Sequence, residues 1–238
     1  MFSLLLDFFQ LLPVTKGIDK VVLFEHTNQR FLDTYLDGTS PARIRSVSLG
    51  QQLARTSLGA QSLSVSFMVD ARDFFSILPS TWCNLTHIAL TSPCLSPETS
   101  PAIIMNLLQS AAFAAHRMPK LKAMELWNGL AGVAALFKYE VIPSRRSSVL
   151  TWRATWSLTL EGAALNAWEK VVGDRINVVY ESLVPGEVKS PMDAVVSLKL
   201  SEMIIRPVSL RQVLIEEDFI RSMAAEVSKP DSPGIVYY

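Results

Sequence analysis

Acid–base, nucleophilic or metal chemistry needs reactive side chains placed beside partners, so the three histidines, two cysteines and acidic pairs of this chain are the first places to look. His26, His87 and His116 sit in unrelated contexts, and His116, before Arg117 at the end of a helical pattern, is suited to terminal carbonyls. A nucleophilic hydrolase needs a Ser or Cys within reach of a His that a carboxylate orients. The residue types are present, but a G-x-S-x-G elbow is not. Cys83 and Cys94 form no C-x-x-C or Cys/His ligand spacing and read as reduced thiols of an intracellular protein. Asp70 and Asp73 could pair as carboxylates, yet Asp after an apolar strand more simply opens a helix. Glu216-Glu217-Asp218 reads as a solvated helix face. The 10 glycines build no phosphate cradle, and Arg43, Arg45, Arg145 and Arg146 lack the interleaved aromatics of a nucleic-acid platform. No catalytic, cofactor or metal residue is assigned, and the chain reads as a non-enzyme without a cofactor.

Composition narrows the class further. The 238 residues are 49% hydrophobic and 18% charged, enough to bury a substantial core and too apolar for disorder. Lys+Arg 22 balances Asp+Glu 22, so the long-range attraction that gathers nucleic acid or anionic membrane is missing at the level of the whole chain. No run reaches the ~18 apolar residues that span a bilayer. The apolar start from Met1 to Leu12 carries Asp7, lacks a basic opening and meets Pro13, unlike a signal peptide. The expectation is a soluble protein of the cytoplasm or nucleus with no nucleic-acid or membrane partner.

The elements that would position any site follow from periodicity. Helical spacing predicts helices over 2–12, 49–58, about 162–172 and about 190–200, the last with Ser190 as cap and Pro191 as first residue. Ser100 and Pro101 open another, in which Ile103, Ile104, Leu107, Leu108, Ala111, Ala112 and Ala115 repeat at three- and four-residue steps until Met118-Pro119. Ser209 to Gln212 opens a final one. Strands are expected over 18–24, 62–67 (half-buried), 85–90, 121–127, 136–141 and 176–183. The clearest strand signal is 150–160, where even positions are apolar and odd ones polar. One domain over 1–228 and a flexible tail over 229–238 are expected.

Several strand candidates share an apolar spacing: Ile18, Val21, Leu23; Leu85, Ile88, Leu90; Leu121, Met124, Leu126; and, less well, Ala60, Leu63, Val65. Each unit would point alternate side chains into a shared core while a helix or loop returns outside, so that strands stack in parallel. An ordinary α/β sheet could show the same spacing by chance.

Trp82 to Ser92, Met118 to Gly129 and Leu150 to Trp156 resemble segments of an uncharacterised domain in F-box-like proteins of filamentous fungi. The resemblance covers most of the chain and implies an irregular leucine-rich-repeat-like organisation after an F-box-like segment. Here Leu12-Pro13-Val14 is not followed by a recognisable F-box. It implies no activity and transfers no catalytic residue.

The combined expectation is an α/β domain, an irregular leucine-rich-repeat-like stack of parallel strands with outer helices. It would act as a protein-interaction module, a substrate-recognition domain of an F-box-like protein lacking its F-box. Phe24, Glu125 and Trp127 fall at non-core strand positions and would form the partner site on the inner surface, as exposed residues. Packing of Phe24 and Trp127 beneath an adjacent loop is the alternative reading of the same positions. Two alternatives remain open: a small α/β hydrolase-like enzyme, and a truncated fragment of a longer F-box-like protein.

Overall fold

A computed structural model describes residues 19–24, 46–77, 80–145, 147–173, 176–201 and 204–205, with single positions from 209 to 222. Two compact units divide the chain, 1–204 and 205–238. In the second, Ser209, Arg211, Leu214, Ile215 and Ser222 are helical. The expected helix over 2–12, the body of the final helix and the tail over 229–238 lie outside the described residues, as do His26, Arg43, Arg45 and Arg146.

The first unit is a mixed α/β fold around one open seven-stranded sheet whose strands lie in chain order. The strands are β1 (Lys20–Phe24), β2 (Ser62–Ser66), β3 (His87–Thr91), β4 (Ala123–Leu130), β5 (Val133–Ile142), β6 (Ser147–Ala154) and β7 (Asn177–Ser182). The helices are α1 (Val47–Thr56), α2 (Ala71–Phe75), α3 (Pro101–Ala115), α4 (Gly162–Val172) and α5 (Pro191–Ser197). Strands β1 to β4 are mutually parallel, as are β6 and β7, whereas β5 is antiparallel to both its neighbours. This corrects the all-parallel expectation. Only Ala131 and Gly132 link β4 to β5, and a parallel crossover needs a dozen or so residues, so that connection can only be a hairpin.

The weak sequence repeat is the register of the sheet. Val21, Leu63, Ile88 and Met124 pair side by side, and the row continues through Tyr139, Leu150 and Val178. Leu23, Val65, Leu90, Leu126, Phe137 and Trp152 form the next row. From β2 to β6 both rows are buried, and each such side chain stabilises the fold by about 1.5–3 kcal/mol. Leu49 and Leu53 of α1, Leu107 and Leu108 of α3 and Trp168 of α4 share this core, so these three helices lie on one face of the sheet. Trp168 packs on Phe137 and Tyr139 and donates Nε1–H to Leu108 O at 3.0 Å, tying α4 to α3.

Local chemistry sets the ends of these elements. Ser46 Oγ accepts from Leu49 N to open α1, and Ser190 Oγ accepts from Met192 N and Asp193 N to open α5. Pro101 occupies the first turn of α3, as its missing N–H favours. Helix α5 is shorter than the spacing suggests, because Leu198 closes it and Lys199 takes a left-handed φ of 51°. The strand expected over 150–160 stops at Ala154, where its neighbour runs out: Ala154 pairs with Ala135, close to the β4–β5 turn. Strand β2 is buried at all five positions rather than half-buried, so its serine face is covered as well.

Candidate functional site

The sheet face away from α1, α3 and α4 carries every residue proposed from sequence as a partner contact. In register across it lie Val22, Ser64, Ala89, Glu125 and Lys138, with Phe24 beside Ser66 and Thr91 beside Trp127. Phe67, just past β2, has φ of +68° and donates its backbone N–H to Thr91 Oγ1 at 2.7 Å. A left-handed conformation is unfavourable for a bulky residue and persists only where its surroundings hold it. Its ring meets Phe24 edge-on at 5.9 Å and Trp127 edge-on at 4.9 Å, giving a continuous line of three aromatics. Phe24 and Trp127 are thus joined through Phe67, which alternation over the expected strand 62–67 places on the core face with Leu63 and Val65; the strand ends at Ser66 and the left-handed turn puts the ring on the other face.

These positions are less open than the spacing implies. Phe24 is half-buried, while Glu125 and Trp127 are only 3% and 0% exposed. The reason is topological: after β7 the chain returns across β4 and β5 as α5 and the residues that follow it. A Cβ on Gly129 of β4 would lie 2.5 Å from Ala194 Cβ of α5, so glycine permits this approach. Ser201 Oγ donates to Glu125 Oε2, and Arg153 donates to Leu198 O and, at 2.7 Å, to Glu181 Oε2. The Arg153 bond holds the Glu181 carboxyl below its ordinary range.

Burial pushes the Glu125 carboxyl up, against the lowering effects of the Ser201 bond and of Lys138 across the β4–β5 ladder. Its second oxygen, Oε1, finds no hydrogen-bond partner among the described residues, and neither do Ser64 Oγ, Ser66 Oγ or Trp127 Nε1. Each such buried group typically costs about 1–3 kcal/mol. Four of them on β2 and β4 of the same face are a concentrated deficit of hydrogen bonds. Ser64 and Ser66 had read as an alternating wet face, yet both are fully buried.

Chemistry elsewhere is structural in character. Asp70 caps α2, accepting from Arg72 N at 2.9 Å, pairing with the Arg72 guanidinium and accepting from Ser92 Oγ at 2.6 Å. Cys94 Sγ lies 3.2 Å from Ser92 Oγ. A carboxylate, a hydroxyl and a thiol therefore line up, but the described histidines are elsewhere: His87 Nδ1 contacts Thr86, and His116 is the C-cap of α3. His87 is held below its ordinary value by burial and then by Lys122. Cys83 is exposed and free, and Cys94 forms no disulfide. Among the described residues no cluster of His, Cys, Asp or Glu could hold a metal ion, and no helix is long and apolar enough to cross a membrane.

Fold and face together define a mixed α/β domain with an open sheet, helices on one side and a returning segment on the other. Residues 11–206 match the model of a family of unknown function, DUF6546, and the chain belongs to that family. No curated protein and no solved structure matches the chain.

Proposed function

We propose that this domain is an intracellular protein-interaction module, serving as a substrate-recognition platform of an F-box-like assembly, and that its partner engages the face bearing Phe24, Glu125 and Trp127. The observation that carries the reading is the concentration on that face of four buried polar groups without hydrogen-bond partners among the described residues, beside the Phe24–Phe67–Trp127 line. A partner segment supplying hydrogen bonds there would relieve the deficit while the aromatics supply area. Entry would be at β1, where Val22 is 41% exposed beside the half-buried Phe24. The leucine-rich-repeat-like character is supported by the sequential parallel order of β1 to β4 and by the shared spacing of their core residues.

The test is affinity capture with the wild-type chain and with a Val22→Asp/Phe24→Asp variant whose fold is verified by circular dichroism. A protein recovered reproducibly by the wild type and lost with the variant supports the reading. Recovery of no reproducible protein, or of one that the variant retains fully, overturns it.

A further inference from the structure

The helical side of the sheet carries a second feature, unconnected with that face. Strands β4 and β7 run in the same direction, because two successive antiparallel steps and one parallel step separate them. Helices α3 and α4 each lead back to one of these strands, so the two run parallel and end at the same edge of the domain. Between their last turns lies a groove of about 290 Å³. That is at the small end of ligand-sized cavities, which span roughly 300–1,000 Å³, and it suits one large side chain better than a whole cofactor.

Small residues, Ala112 and Ala167, lie between the helices, and Phe113 and Val171 supply larger apolar walls. Phe113 is 50% exposed although it belongs to a helix that has no Asp, Glu, Lys or Arg between Pro101 and Ala115. A surface helix normally turns a charged face to water. The rim is the opposite: Arg117 and Lys170 line the groove beside His116, and neither Arg117 nor Lys170 makes an ion pair among the described residues. Helix dipoles do not absorb this charge. Two helix C-termini amount to about −1 in total, against two full positive charges from Arg117 and Lys170.

We infer that this groove docks an acidic peptide segment carrying one bulky apolar anchor. The apolar slot takes the anchor and Arg117 and Lys170 pair with flanking carboxylates, an arrangement in which apolar burial supplies affinity and charge supplies orientation. An apolar slot gives no purchase to a sugar–phosphate backbone, and the zero net charge of the chain gives no general attraction for polyanions, which favours a peptide over nucleic acid.

The experiment is fluorescence anisotropy on the full chain with a pool of labelled peptides, each with one Phe, Leu, Ile or Trp between runs of Asp and Glu. Controls are the same peptides with the anchor replaced by Gly, their Lys/Arg counterparts, a single-stranded oligonucleotide and phosphatidylserine vesicles. The expected result is saturable binding of at least one acidic anchored peptide, weakened about tenfold or more by Arg117→Glu/Lys170→Glu and also by loss of the anchor. Both substituted residues are on the surface, and Arg117→Gln/Lys170→Gln provides a milder second variant. Binding by no member of the pool, binding indifferent to the charge changes, or preferential binding of the oligonucleotide or vesicles overturns the inference. Because Val22→Asp/Phe24→Asp leaves this groove intact, that variant retains peptide binding, which separates the outcome from that of the sheet-face reading.

Discussion

Ser201 Oγ donates to Glu125 Oε2 across 2.5 Å, joining the segment after α5 to the first half of β4 over a sequence separation of 76 residues. Helix α5 and the same segment bury Met192, Val195, Leu198 and Ile204, accept from Arg153 at Leu198 O and bring Ala194 against Gly129. The covering of the candidate face thus combines apolar packing with a few polar groups, and among those polar groups Glu125 is the one whose charge can change.

Glu125 should make stability depend on pH in a definite direction. Burial raises its pKa in the folded state above the unfolded carboxyl value of about 4.3. Its contribution is then fully present below that unfolded value and is lost as pH rises through the folded value. The charged groups nearest to it, Lys138 and Glu140 of β5, act in opposite senses and do not reverse this. Glu125→Gln removes the titration, so urea midpoints of the variant should gain on the wild type as pH rises above the unfolded carboxyl value of about 4.3. Parallel pH profiles for the two proteins would contradict the assignment.

Gly129→Ala should destabilise the domain by about 1–3 kcal/mol, because the new methyl group would lie 2.5 Å from Ala194 Cβ. Adding Ala194→Gly should recover part of the loss, and chemical denaturation of the double variant measures that coupling.

Trp168→Ala should cost about 3–5 kcal/mol. It empties a site packed against Phe137 and Tyr139 and removes the donor to Leu108 O that joins α4 to α3. Thermal unfolding followed by near-ultraviolet circular dichroism reports the change.

Asp70→Ala should lower stability by about 2 kcal/mol, since the cap of α2 and the acceptor for Ser92 Oγ are lost together. Asp70→Asn retains a capping oxygen and should lose less. Equal loss in the two variants, read from urea midpoints, would show that the charge paired with Arg72 matters more than the cap.

The repeat spacing was legible because a strand alternates its faces. Positions two apart point the same way, so the pairs 21/23, 63/65, 88/90 and 124/126 all mark the core side. The same parity placed Phe24, Glu125 and Trp127 on the other side, where they are found. Ser190-Pro191 and Ser100-Pro101 likewise marked helix starts, since both residue types act within one turn of their own position. The end of β6 at Ala154 was not legible, because alternation continues to Leu160 while the partner strand does not.

What the sequence determines by itself is therefore local: which face each strand residue takes, where helices begin, and the balanced charge that leaves no general attraction for polyanions. Tertiary structure alone decides that β5 reverses the sheet, that α5 returns to bury Glu125 and Trp127, and that α3 and α4 end side by side with their cations around an apolar slot. The division has a physical cause. Side-chain parity and capping depend on neighbours within a few residues, whereas burial and charge pairing depend on which distant segments the chain brings into contact.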